Sequence, residues 1–186
     1  MYNNWEELEK ACLSCKKCEL CKTRNNVVIG EGNKNANLMF IGEGPGADED
    51  NTGIPFVGKA GKLMNMAFRG VGIKREDVYI ANVVKCRPPQ NRNPEDEESR
   101  ACLEYLKSQV MLVKPKIIVL LGNIALKNIL GKEYSITSSR GKWIEKDGIL
   151  YFATFHPAAL LRDETKKILF WKDLKNVIEE LHKNGY

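Results

Sequence analysis

Four cysteines spaced three residues apart, Cys12, Cys15, Cys18 and Cys21, stand near the start of this chain, and two more, Cys86 and Cys102, stand alone far downstream. A tract of Cys-x-x-Cys steps brings several thiolates within reach of one metal centre, and the distant pair can complete a four-thiolate shell only if the fold carries them to the tract. The cysteines are therefore expected to clasp an N-terminal arm onto the body of the protein. A disulfide framework would suit a secreted or core-poor chain, and Met1-Tyr2-Asn3-Asn4-Trp5-Glu6-Glu7 has no apolar leader. Zinc fits less well than iron–sulfur, because Cys86 and Cys102 do not form a second close pair. A ferredoxin run ending in Cys-Pro is not matched, since Cys21 arrives one residue early and precedes Lys22.

With 186 residues, 43% of them hydrophobic, the chain can bury one sizeable core, and one domain over residues 1–186 is expected. No apolar stretch approaches the roughly 20 residues of a membrane span. The net charge of +5 favours a polyanionic partner without identifying one.

Leu38-Met39-Phe40-Ile41, Val78-Tyr79-Ile80-Ala81 and Ile117-Ile118-Val119-Leu120-Leu121 are apolar runs without polar alternation, as strands buried on both faces read. Helical patterns fall between and after them, over 62–69, from the acidic turn at Asn93-Pro94-Glu95 to Val113, over 123–130 and over 166–183. The alternation predicts an α/β fold with a central parallel sheet, its ligands at the carboxyl ends of the strands.

Three strand ends carry chemistry. After Ile41 comes the turn Gly42-Glu43-Gly44-Pro45-Gly46-Ala47-Asp48-Glu49-Asp50, which lets backbone amides approach a ligand but lacks the lysine of a phosphate-gripping loop. After Ala81 come Asn82 and the basic loop Lys85-Cys86-Arg87-Pro88-Pro89; after Phe155 comes His156-Pro157-Ala158-Ala159-Leu160-Leu161-Arg162. An amide reads a base edge, an imidazole stabilises developing negative charge, and the cations hold phosphates.

These segments, with Phe56-Val57-Gly58-Lys59-Ala60-Gly61, occur in an order that closely resembles the iron–sulfur uracil-DNA glycosylases of family 4, from about Cys15 to the final helix. The resemblance implies a three-layer α/β/α sandwich, a [4Fe-4S] cluster on Cys15, Cys18, Cys86 and Cys102, and hydrolysis of the N-glycosidic bond of deoxyuridine in DNA, leaving an abasic site. It implies that Phe56 stacks on an extruded uracil, that Asn82 reads N3 and O4, and that neutral His156 hydrogen-bonds O2 of the leaving base. Gly42, Glu43, Gly44 and Glu49 line the pocket on this reading, and Arg87, Leu160, Leu161 and Arg162 meet the DNA, the leucines in a loop that wedges into the stack. Other families carry an aspartate where this chain has Gly44, which leaves water activation to Glu43 first and Glu49 second; the alternative makes residues 48–50 a solvated acidic turn. Cys12 and Cys21 are surplus to the ligand set, Phe56 alone would read as core, and His182 as surface. The expected partner is uracil-containing DNA, single- or double-stranded, with a sliding clamp as a further candidate. A monomer is expected, in the cytoplasm, where thiolates stay reduced enough to hold iron.

Overall fold

The computed structural model describes residues 1–185, built around a six-stranded sheet. In chain order the elements are α1 (Trp5–Leu13), β1 (Glu31–Gly32), β2 (Leu38–Gly42), α2 (Ala47–Thr52), α3 (Lys59–Gly70), β3 (Tyr79–Asn82), α4 (Asp96–Val113), β4 (Ile117–Leu121), α5 (Gly122–Ile129), α6 (Ile136–Ser139), β5 (Trp143–Lys146), β6 (Ile149–Thr154), α7 (Pro157–Leu160) and α8 (Thr165–Lys183).

The strand order is β1-β3-β2-β4-β6-β5. The inner four strands are parallel, as the three apolar runs of β2, β3 and β4 predict, with β6 a fourth beside β4, whereas both edges are antiparallel. β1 went unseen in the sequence because it is only two residues long, whereas the basic-aromatic stretch Arg140–Trp143, readable either as a DNA contact or as a hairpin edge, leads into the half-exposed edge strand β5.

Successive side chains of a strand point to opposite faces, and each face has its own core. Met39, Ile41, Tyr79, Ala81, Ile118 and Leu120 pack with Leu8 and Cys12 of α1, Cys102, Tyr105 and Leu106 of α4, and Ala125 and Leu126 of α5. Leu38, Phe40, Ile80, Val119 and Phe152 pack instead with Met64 and Phe68 of α3, Leu160 of α7, and Phe170, Leu174 and Val177 of α8. The result is the expected α/β/α sandwich. No helix among the described residues is long and apolar enough to cross a membrane.

β2 lies centrally, with β3 on one side and β4 on the other, so the connections leaving it and arriving beside it run in opposite directions. Such a reversal opens a crevice at the carboxyl ends of the strands. Register places Gly42 opposite Asn82, and Leu121 opposite Thr154, bringing the ends of all four inner strands to that crevice.

Candidate active site and cysteine centre

The crevice is a cleft of about 560 Å³ whose lining includes Glu43, Gly44, Glu49, Phe56, Asn82, His156 and Arg162. At its floor Asn82 is 1% exposed, and its Oδ1 accepts no hydrogen bond. Nε2 of His156 is the other buried side-chain polar atom without a partner among the described residues. Leaving such atoms unpaired costs roughly 1–3 kcal/mol each, so two of them in one cleft mark a place prepared for a polar ligand.

The imidazole has a defined state. Its Nδ1 accepts the backbone N–H of Ala158 at 3.1 Å, which assigns the ring proton of the neutral form to Nε2. Burial lowers the pKa of His156 to about 4, with the Glu49 carboxylate pulling weakly the other way. A neutral N–H donor therefore faces the cleft at pH 7. Opposite it lies the ring of Phe56, centroids 5.6 Å apart and planes tilted by 36°. Phe56 holds a left-handed backbone, φ 52°, uncommon for an aromatic residue. Gly42 permits the arrangement: a β-carbon there would lie 2.5 Å from both Oδ1 of Asn82 and Cζ of Phe56.

The acidic turn is helix α2; Asp48 is exposed, as a solvated turn would have it, but the carboxylates of Glu49 and Asp50 serve as internal acceptors. Glu49 accepts the N–H groups of Gly46, Val57 and Gly58 at 3.1, 2.8 and 2.9 Å, which ties the Gly-rich turn to the segment bearing Phe56. Asp50 is 1% exposed and takes the N–H groups of Asn25 and Asn26, fastening the end of the cysteine arm. Glu43 differs: burial pushes the pKa of its carboxyl upward, with no countervailing partner among the described residues.

The residues expected to meet DNA divide. Leu160 is 1% exposed and belongs to the core, because Pro157–Leu160 forms a helical turn rather than a free loop. Leu161 is 50% exposed and Arg162 lies at the surface beside the cleft, so of the two leucines only Leu161 is open to a partner. Nε of Arg87 donates to Oδ1 of Asn91 at 2.7 Å, bracing its loop.

All six cysteines line a second, separate cavity together with Arg24, Val84 and Lys85. None is in a disulfide. Cys12 comes from α1, Cys15, Cys18 and Cys21 from the following segment, Cys86 from the loop after β3 and Cys102 from α4. Among the described residues no group of three or more His, Cys, Asp or Glu side chains is set to hold a metal ion, and the six cysteines share a cavity rather than a formed coordination shell. The surroundings suit an anionic group: Nη1 of Arg24 donates to Cys86 Sγ at 3.2 Å, and the backbone N–H of Lys85 to Cys102 Sγ at 3.3 Å. Lys85 is itself buried with no carboxylate paired to it among the described residues; burial lowers its pKa to about 8, and the neighbouring cysteine sulfurs oppose that shift. Burial pushes the thiols of Cys12 and Cys102 up to about 12, so both stay protonated near neutrality unless a metal displaces the proton.

Sequence reasoning missed Arg24, Lys85 and the structural use of Glu49. Arg24 follows the cysteine tract closely enough to have been read as a cation for thiolates; nothing in the sequence distinguishes Glu49 from its acidic neighbours.

Residues 29–175 match the family model described as "Uracil DNA glycosylase superfamily". The chain is 44% identical, over the full length of both, to the Type-4 uracil-DNA glycosylase of Thermotoga maritima. It is 45% identical to that of Sulfurisphaera tokodaii, covering 94% of this chain and 83% of the relative. With that of Saccharolobus solfataricus it shares 46% over 90% of this chain and 82% of the relative. A family match across most of the chain, and full-length similarity to its type-4 members, agree with a cleft of this composition: the chain belongs to the uracil-DNA glycosylase superfamily, in its type-4 branch.

Proposed function

We propose that the protein excises uracil from DNA by hydrolysing the N-glycosidic bond of deoxyuridine, and that the strand-end cleft does the chemistry. The observation that carries this reading is the pair of unpartnered buried atoms, Asn82 Oδ1 and His156 Nε2, facing one cleft beside the Phe56 ring. Uracil supplies what they lack: an N3–H donor for Oδ1 and an O2 acceptor for the imidazole N–H. A base in a duplex cannot reach them, so the nucleotide is extruded, its face against Phe56 and the vacated stack filled by Leu161, with Arg162 and Arg87 at the phosphates.

Bond cleavage leaves positive charge on the sugar and negative charge on the base. His156 donates its Nε2 proton's hydrogen bond to O2, strongest when O2 has gained charge; an oriented donor of this kind contributes roughly 10²–10³ in rate. A neutral imidazole does this without first protonating the base. Glu43, whose carboxylate has no paired cation among the described residues, faces the sugar side of the cleft with Gly44; once ionised it stabilises the sugar cation and orients water.

Cys15, Cys18, Cys86 and Cys102 would hold a [4Fe-4S] cluster, with Arg24 and Lys85 offsetting its charge. Such a group supplies cross-links rather than reaction chemistry here, joining the arm, the Arg87 loop and α4. Incubation of the anaerobically purified protein with a single-uracil oligonucleotide, followed by alkali, tests the activity. Strand scission at the uracil is expected; an intact strand would sink the reading.

A further inference from the structure

Lys85 is one of the largest fully buried side chains in the protein, and uracil chemistry as described makes no use of it. Its contacts are directional. Nζ donates to the backbone carbonyl of Asn82 at 2.7 Å and to Oε1 of Gln109, in α4, at 2.5 Å. Its own N–H donates to Cys102 Sγ, and its carbonyl accepts the N–H of Val28 at 2.8 Å. Gln109 in turn donates through Nε2 to the carbonyl of Ile29 at 2.7 Å and to the Tyr79 hydroxyl at 3.0 Å. A continuous polar chain thus runs from the cysteine cavity and α4 to the last residue of β3.

The end of that chain matters because of what Asn82 lacks. Its Oδ1 has no protein partner, so no side-chain contact at that atom fixes where the base-reading amide stands. The position of the amide is set by its backbone, and the backbone carbonyl is held by a charged donor, the stronger and shorter kind of hydrogen bond. We propose that Lys85 is a positioning residue for uracil recognition: its ammonium ties the Asn82 carbonyl to Gln109 of α4, so that the amide is preset for the base before DNA binds. This rests on the reading of Asn82 as the base-contacting residue. Presetting matters because a displacement of about 1 Å in a positioned group can cost about 100-fold in rate.

The test is a double-mutant cycle on the intact, iron-loaded protein, with single-turnover uracil excision, iron content and thermal midpoint as readouts. Lys85→Met keeps the length and removes the donor. Lys85→Met is expected to slow excision about tenfold, and Asn82→Ala about 100-fold in the parent but only about tenfold in the Lys85→Met background, because an amide no longer held in place has less to lose. Penalties that multiply independently, at unchanged iron content, would overturn the proposal and leave Lys85 as filling. Should Lys85→Met not fold or not retain iron, Gln109→Met leaves the ammonium and removes its outer anchor. It is expected to slow excision about threefold and to shrink the Asn82→Ala penalty likewise; strict additivity there overturns the proposal. A parent protein inert on uracil would overturn the functional reading itself, whereas an active parent with additive losses overturns only the role of Lys85.

Discussion

Nδ1 of His156 accepts the backbone N–H of Ala158, two residues along the chain, and this local bond decides which end of the ring meets the substrate. Burial then keeps the ring neutral, since charging it would strand a cation in the cleft wall. The pH dependence follows. The unfolded chain binds a proton at His156 near pH 6.5, the folded one only near pH 4, so the stability held in the neutral ring is complete above about 6.5 and lost as the pH falls through that window. The loss approaches about 3 kcal/mol. Urea titrations at pH 7.5 and 4.5 should show the parent losing more stability than His156→Gln; equal losses would mean that the ring is not held neutral.

Gly42 governs how closely the base reader and the stacking ring approach. Gly42→Ala places a methyl 2.5 Å from Asn82 Oδ1 and Phe56 Cζ, so both side chains must shift from the positions they hold in the cleft wall. Destabilisation by about 1–3 kcal/mol is expected, with uracil excision falling more than tenfold. Thermal melting and single-turnover kinetics measure the two effects on one preparation.

Glu49 receives three backbone N–H groups, and charge-assisted bonds of this kind are worth about 1.5–3 kcal/mol when removed. Glu49→Gln turns an amide N–H₂ toward at least one of those donors. A lower thermal midpoint is expected, together with faster proteolysis of the Gly42–Gly58 region. An unchanged midpoint would show that the carboxylate is not holding the turn.

The cysteines are not equivalent. Cys86 and Cys102 have no sequence neighbour to replace them, so Cys86→Ala or Cys102→Ala should abolish a broad absorbance at roughly 400 nm and most of the bound iron. Cys12→Ala and Cys21→Ala should retain both. Elemental analysis of the anaerobically purified protein decides between iron and zinc, and equal iron loss in all six variants would contradict the ligand assignment.

Much of the fold was legible because the inner strands are apolar on both faces, a pattern that little besides a covered parallel sheet produces. The edge strand β1 was not legible, since it has two residues and its pairing is decided by the chain packed beside it. Asn82 and His156 could be picked out because each follows an apolar run, where strands end and ligands sit. The burial of Leu160 was hidden by its neighbours: Leu160 and Leu161 look alike in sequence, and only the turn of α7 sends one inward and the other out. Lys85 was invisible for a similar reason. A lysine in a basic loop ordinarily reads as a phosphate contact, and only the packing of α4 against β3 shows it turned inward to Gln109.

The most direct measurement is the single-turnover rate of uracil release from a single-uracil oligonucleotide by the parent and by Asn82→Ala. Asn82→Ala leaves Phe56 and His156 in place and removes the amide whose unpaired Oδ1 marks the cleft. The account predicts a rate about 100-fold or more below the parent, with iron content and thermal midpoint nearly unchanged. A variant that releases uracil at the parent rate would contradict it, because the base would then be read somewhere other than at the end of β3.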